Sequence, residues 1–556
     1  MDALTKISRV FDNVKQVVKE KNSSTRLQSL KKDILLIQSE LLVLGKENHG
    51  LHIRSLAMEG YLALLSAKIM PLSLSEKKNI LTVAFEKLKQ HAQCEETLFV
   101  FLRIQNLLCY FLIQLDEINR AKYILENVEE MYDDISNSKA HMFIDAEDLF
   151  VPEPVSNIKR MSSEKIDKLI TNNVQMLAFL YNKLNLPQKY TLYSHTALRR
   201  QLEMKEGTPQ EWAMRTARLG NYFSYLNQLG NARHHLCAAY HILRTCHDNC
   251  KLIPEEFVLQ KADFEMHFLE LSHHWVKYGL TLFKLSRKKI LNSVFSGPSG
   301  ASATDLWNTV DFVNESLVDT DNNSQKENSK DSGSEKYEKG DCLTEKVYIF
   351  PSLDLTDIER KVPLEIITNS IEARKLFSFT HKWLKRAEHY YDFEHHSSHY
   401  ISCSLQLAEL YEHLAFFEKN IDNQYTVQKR RADVLETLNS LLKNCDNVMS
   451  IQIDVIKELS QVQLELMALN LQKLWREESQ TNILNVDNDT DSIIHSLNSE
   501  SNKTLTEKTL NTSSKNIFLR KMEATTSING KLFRLSGQID PGTPSELSFD
   551  YGILGN

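Results

Sequence analysis

The stretch LGNYFSYLNQLGNARHHLCAA, residues 219–239, decides how the chain folds. Leu219 and Gly220 are adjacent, Phe223 follows three residues after the glycine, and Ala232, Leu236 and Ala239 recur at steps of four and three. Such steps place residues on one side of a helix, here on two helices joined by a short turn. A small residue lets two antiparallel helices approach closely, and an aromatic fills the space beside it. The spacing is that of the second half of a tetratricopeptide unit. It predicts that Gly220 packs where helices of adjacent pairs approach closely, and that the stretch is architecture rather than chemistry.

The same grammar continues upstream. In LRIQNLLCYFLIQLDEINRAKYILENVEEMY, residues 102–132, Leu108, Cys109 and Leu112 precede a turn, and Ala121, Leu125 and Val128 follow it. In KLITNNVQMLAFLYNKLNLPQKYTLYSHTALRRQLE, residues 168–203, an apolar stripe runs through Ile170, Val174, Leu177, Ala178, Tyr181 and Leu184. Pro187 sits in the turn, and Ala197 takes the late small position. The residues that open the second helices, Ala121, Tyr190 and Ala232, keep no fixed period. Three degenerate pairs in succession predict an α-solenoid, in which each pair stacks on its neighbours to bury a face.

Composition agrees. Glycine (16) and proline (11) in 556 residues fall below the usual shares of about 7% and 5%, which favours long helices over strand turns. We find no sustained alternation of apolar and polar residues, so the expected class is all-α. A long helix is expected near 255–292. The segment 316–345 is polar and nearly free of apolar residues, and the tail 476–556 is rich in Asn, Ser, Thr and Asp. Both are expected to be disordered, with weak helix near 514–524. The predicted organisation is N-terminal repeats over 1–135, a connection over 136–164, central repeats over 165–315, the insertion, and C-terminal repeats over 346–475.

Charge and cysteine content exclude several classes. A net charge of −7 gives no general attraction to nucleic acid. No apolar run approaches about 18 residues, so no membrane span is expected. Eight cysteines in this length are too sparse for a disulfide framework and fit a reducing cytoplasm. The amphipathic N-terminus, with Asp2 and Asp12, lacks the apolar core of a signal peptide.

The search for chemistry finds little. His395, His396 and His399 lack the glutamate of a zinc helix, and Cys246 and Cys250, bracketing His247, lack a second ligand pair. His234-His235 and His273-His274 are expected as packing or surface residues. Lys429-Arg430-Arg431 is expected to be a solvated helix face, with a partner contact second. No phosphate-cradling glycine loop or nucleophile elbow is present, so no catalytic residue, cofactor or metal is expected.

Two blocks carry a resemblance. RRQLEMKEGTPQEWAMRTARLGNYFSYLNQLGNARHHLCAA, residues 199–239, holds Arg200-Gln201-Leu202-Glu203, Pro209, Glu211-Trp212-Ala213 and Ala232-Arg233-His234. LAFFEKNIDNQYTVQKRRADVLETL, residues 414–438, holds Leu414-Ala415-Phe416-Phe417-Glu418 and Lys429-Arg430-Arg431. Together they resemble the KIF-binding (kinesin-binding) protein family, over roughly 50–475, with the polar tail from 476 replacing the family's later helices. The resemblance implies a cytoplasmic, cytoskeleton-associated, non-enzymatic right-handed tetratricopeptide-like α-solenoid. It would bind motor domains of selected kinesins, hold them from microtubules and so affect axonal transport and microtubule organisation.

In such a solenoid the first helix of each pair lines the concave surface. With Tyr181 as the aromatic of its repeat, Gln175, Met176, Phe179 and Asn182 project away from the Leu177/Ala178 packing face. Arg218 and Asn221 take similar places in the next pair, and Gln201 is expected to reach the same groove. These seven residues are the expected partner-binding set. The competing expectation is a peptide-binding adaptor or co-chaperone that clamps carboxylates with several basic residues. A set with one arginine disfavours it.

Overall fold

The computed structural model describes residues 2–19, 24–47, 51–137, 143–155, 158, 160–161, 164–252, 254–295, 347–443 and 449–489. Helices dominate them: α1 Asp2–Lys19, α2 Ser24–Glu47, α3 His52–Ile69, α4 Leu74–Leu88, α5 Leu98–Gln114 and α6 Ile118–Asn137, then α7 Glu164–Lys183, α8 Pro187–Glu203, α9 Pro209–Tyr225, α10 Leu229–Cys250 and α11 Pro254–Phe295. After the insertion come α12 Thr356–Glu359, α13 Ser370–Tyr390, α14 Ser397–Phe417, α15 Ile421–Leu442 and α16 Met449–Asp489. Consecutive helices pack as antiparallel pairs, and α3, α5 and α7 also touch in turn, as do α9 and α11. The fold is an all-α, tetratricopeptide-like solenoid.

Capping residues explain where several helices begin. Ser73 and Glu76 form a reciprocal capping box at the start of α4. Thr208 accepts from the Glu211 amide, and Pro209 opens α9 beside Gly207, whose φ of +78° suits glycine.

The three predicted hairpins share one turn. Asp116, Asn185 and Asn227 each adopt positive φ, at 59°, 55° and 60°. Asn and Asp are the non-glycine residues that best tolerate this region. In each, the next amide reaches back to close the preceding helix: Glu117 to Leu112 O (2.8 Å), Leu186 to Tyr181 O (2.9 Å) and Gln228 to Phe223 O (2.9 Å). Counted from this residue, the register is constant. A small residue lies seven before it (Cys109, Ala178, Gly220), a large one four before (Leu112, Tyr181, Phe223), and the opener of the second helix five after (Ala121, Tyr190, Ala232).

The contacts repeat with the register. Cys109 Sγ lies 3.9 Å from Ala121 O, and a Cβ built on Gly220 would lie 3.2 Å from Ala232 O and 3.0 Å from Leu236 Cγ. Gly220 is therefore a packing residue as expected, but its contact is inside its own pair rather than between pairs. Gly220→Leu is expected to overpack that contact and destabilise by about 1–3 kcal/mol in chemical denaturation. A neutral result would remove the close approach from the account of this hairpin.

The 136–164 connection is not bare loop. Phe143–Ile144 and Arg160–Met161 pair antiparallel as β1 and β2. The buried Arg54 of α3 donates to the carbonyls of Leu149 (2.8 Å) and Glu153 (2.6 Å), and to that of Val151. Phe150 stacks on Phe11 of α1.

The expected disorder of 316–345 and the helix near 514–524 lie outside the described residues. Of the expected tail, 476–489 continue α16 as helix, and the rest also lies outside them. The chain divides into two units, Met1–Leu466 and Met467–Asn556, and the described part of the second is the helical run 467–489.

Beyond the insertion, 347–367 runs back over the central pairs. Phe350 is buried among His195, Trp212, His234 and His235. Tyr278 Oη donates to Pro363 O (2.6 Å), and the Ile367 amide donates to Ser286 Oγ (3.0 Å).

Candidate partner-binding surface

The face of α7 is built by its packing. Asn173 accepts from Gln105 Nε2 of α5 (3.0 Å) and donates to Leu125 O of α6 (3.2 Å), while Asn106 Nδ2 donates to Leu169 O (2.8 Å). Tyr181 Oη donates to Glu126 Oε1 (2.7 Å). These bonds fix the rotation of α7, and with it the side that remains open.

That side carries Gln175, Phe179 and Asn182, all half-buried, at steps of four and three. The Lys183 ammonium lies 5.5 Å from the Phe179 ring centroid. On α9, Asn221 is half-buried and Arg218 is exposed, its Nε 2.8 Å from Glu270 Oε1 on α11. Burial would raise the Glu270 carboxyl, but bonds to His274 and Arg218 hold it at about 2. An ion pair this open is worth roughly 0–1 kcal/mol, so Arg218 can be drawn away by a partner.

Two of the expected residues are not on offer. Met176 is 3% exposed and Gln201 is 5% exposed, both in the interior. Met176 falls between Asn173 and Leu180 on the packed side of α7, and Gln201 follows Ala197 and Leu198 on the packed side of α8. The Gln201 Oε1 is enclosed and finds no partner among the described residues.

The basic triplet also departs from expectation. Lys429 pairs with Asp433 at the surface (3.0 Å), but Arg431 is 2% exposed. Its Nη2 lies 3.0 Å from Glu412 Oε2 of α14 and 2.9 Å from Glu458 Oε1 of α16. The signal was in the phase, since Arg431 sits four residues after buried Val427 and four before buried Leu435.

His395 is an exposed surface residue bonded to Asp392 (2.9 Å), and His399 stacks on Tyr391. Among the described residues, no group of three His, Cys, Asp or Glu is placed to hold a metal ion. No described helix is long and apolar enough to cross a membrane.

A family profile described as KIF-1 binding protein C terminal matches residues 210–505. The match runs 30 residues past 475, where the resemblance was expected to end. The KIF-binding protein of Drosophila melanogaster is 28% identical over 368 residues, covering 66% of this chain and 56% of that protein. That of Danio rerio is 26% identical over 370 residues, covering 64% and 54%. That of Homo sapiens is 24% identical over 376 residues, covering 66% and 56%. The chain thus spans a little over half the length of these curated relatives. A solved structure titled "Cryo-EM map of KIFBP" aligns with a TM-score of 0.48 at 16% identity, covering 94% of this chain and 81% of that one.

Proposed function

Since the chain belongs to the KIF-1 binding protein family, we propose that it is a non-enzymatic adaptor that binds kinesin motor domains and controls their engagement with microtubules. The family match over α9–α16 is the observation that carries this reading. On this reading the protein works in the cytoplasm with the cytoskeleton, where it would affect axonal transport and microtubule organisation. The open face of α7, Gln175, Phe179 and Asn182, with Arg218 and Asn221 of α9, is the proposed contact. A mixed apolar and polar face suits a folded partner better than a carboxylate clamp.

The net charge of −7 supports the reading in a second way. A motor surface that engages an acidic polymer is steered towards a negatively charged competitor, so association should slow as salt rises.

The test is binding of purified kinesin motor domains to the full chain. Phe179→Lys with Asn182→Lys sets two positive charges against a basic motor surface. Motor binding is expected to fall at least tenfold, about 1.4 kcal/mol, with circular dichroism unchanged. Gln201→Lys is unsuitable because it would bury a charge. Full binding by the folded double variant removes the α7 face, and no binding of any kinesin motor by the natural chain rejects the function.

A further inference from the structure

Three histidines hold the segment 347–367 in place. His234 Nε2 accepts the Phe350 amide (3.0 Å) while its Nδ1 faces Glu359 Oε1 (2.6 Å). A ring nitrogen that accepts carries no proton, so Nδ1 holds the only one and His234 is neutral. Protonating Nε2 would set a donor against the donor of Phe350.

The other two form a chain of contacts. His235 Nδ1 lies 2.8 Å from Asn231 O, His235 Nε2 lies 3.0 Å from His195 Nδ1, and His195 Nε2 lies 3.1 Å from Ile349 O. Carbonyl oxygens only accept, so these three contacts call for three protons, and two neutral rings carry two. A third proton would complete the chain. It would also place an uncompensated charge where His195 is 1% and His235 0% exposed. One added hydrogen bond does not offset burying such a charge.

Among the described residues, no neighbour supplies the missing compensation. α8 brings His195 and the cation Arg199, and α10 brings Arg233, His234 and His235. α9 contributes Trp212 and Phe223, and the segment itself brings Tyr348 and Glu359. The Glu359 carboxylate is taken by His234 and lies 3.9 Å from Arg233 Nη2.

We propose that 347–367 is a proton-released strap, seated on α8 and α10 only while the buried His195 and His235 are uncharged, and freed by mild acid.

The linkage has the same sign. Burial, then the charge of Arg199, lowers the folded value of His195 to about 4 against the bond to Ile349 O, and burial puts His235 well below its ordinary value. A histidine whose folded value lies below its unfolded value of about 6.5 favours the seated strap above 6.5. That contribution is lost as pH falls towards 4.

Hydrogen exchange on the full chain at pH 7.5 and 5.5, corrected for intrinsic rates, tests the strap. Protection of 347–359 should fall at least tenfold at pH 5.5, while α7 keeps its own. His195→Gln, whose carboxamide nitrogen can donate to Ile349 O at either pH, should shrink the step at least threefold. The proposal is overturned by unchanged protection of 347–359, by an equal loss in α7, or by a full step in H195Q. If H195Q does not fold, the natural chain's profile decides alone.

Discussion

Arg431→Met is expected to destabilise the protein by about 3–5 kcal/mol at neutral pH, the range for removing one partner of a buried ion pair. Arg431 joins α14 to α16 through Glu412 and Glu458. Glu412 keeps a second cation, Arg287 of α11, at 2.7 Å. Glu458 loses the guanidinium that holds it. Burial already pushes the Glu458 carboxyl up, and Arg431 opposes that shift. Without Arg431 the carboxyl rises further and takes a proton more readily.

The sign with pH follows. A carboxyl whose folded value is raised above its unfolded value binds more protons in the folded state, so stability improves as pH falls. The loss measured by urea denaturation should therefore be smaller at pH 5 than at pH 7.5. An equal loss at both would mean that packing, rather than stranded charge, is responsible. Adding Glu458→Leu to Arg431→Met should recover more than half of the loss, because matched apolar groups can replace a buried pair. Failure to recover would count against an uncompensated Glu458.

The second large effect is expected at Gly279→Leu, a loss of about 3 kcal/mol or more. Here α11 crosses α13, and a Cβ on Gly279 would run into Thr380 Oγ1 and stand 2.8 Å from its Cγ2 and 2.9 Å from its Cβ. Rotating Thr380 moves its oxygen and methyl but not its Cβ, so the two helices must part. Even Gly279→Ala, which gains about 1 kcal/mol of helix propensity, should be net destabilising. Thr380→Gly in the same chain removes all three obstructing atoms. A double-mutant cycle should show coupling that offsets part of the Gly279→Ala loss. A stable Gly279→Leu would mean that α11 and α13 do not cross as closely as described.

The helix pairs could be read from the sequence because their packing residues are local. Cys109 with Ala121, and Gly220 with Ala232, meet across one short turn. Their fixed register was hidden because it is counted from the turn. Insertions between pairs erase any period along the chain, while Asp116, Asn185 and Asn227 restart the count each time. Which of the seven expected residues reach the surface was legible only in part, for a related reason. A helical stripe separates two sides but does not say how wide the buried side is. Met176 and Gln201 fall within that buried side, and so passed from the expected groove to the interior. Arg431 was misread because three adjacent cations look alike until the helix phase assigns each a side. The roles of His195 and His235 depend on Ile349, 154 residues from His195, and no local pattern carries that distance.

The strap also orders events in folding. Contacts within a pair form across a handful of residues, so a solenoid can nucleate at any pair and grow outward. The strap bonds instead close separations of 116, 154 and 157 residues. Loop closure over such lengths is slow to be repaid, which makes these contacts late. Contacts absent from the transition state leave the folding rate alone and hold back unfolding. The segment that returns over α8–α10 therefore acts on the lifetime of the folded state, converting independently forming pairs into a block that opens as one.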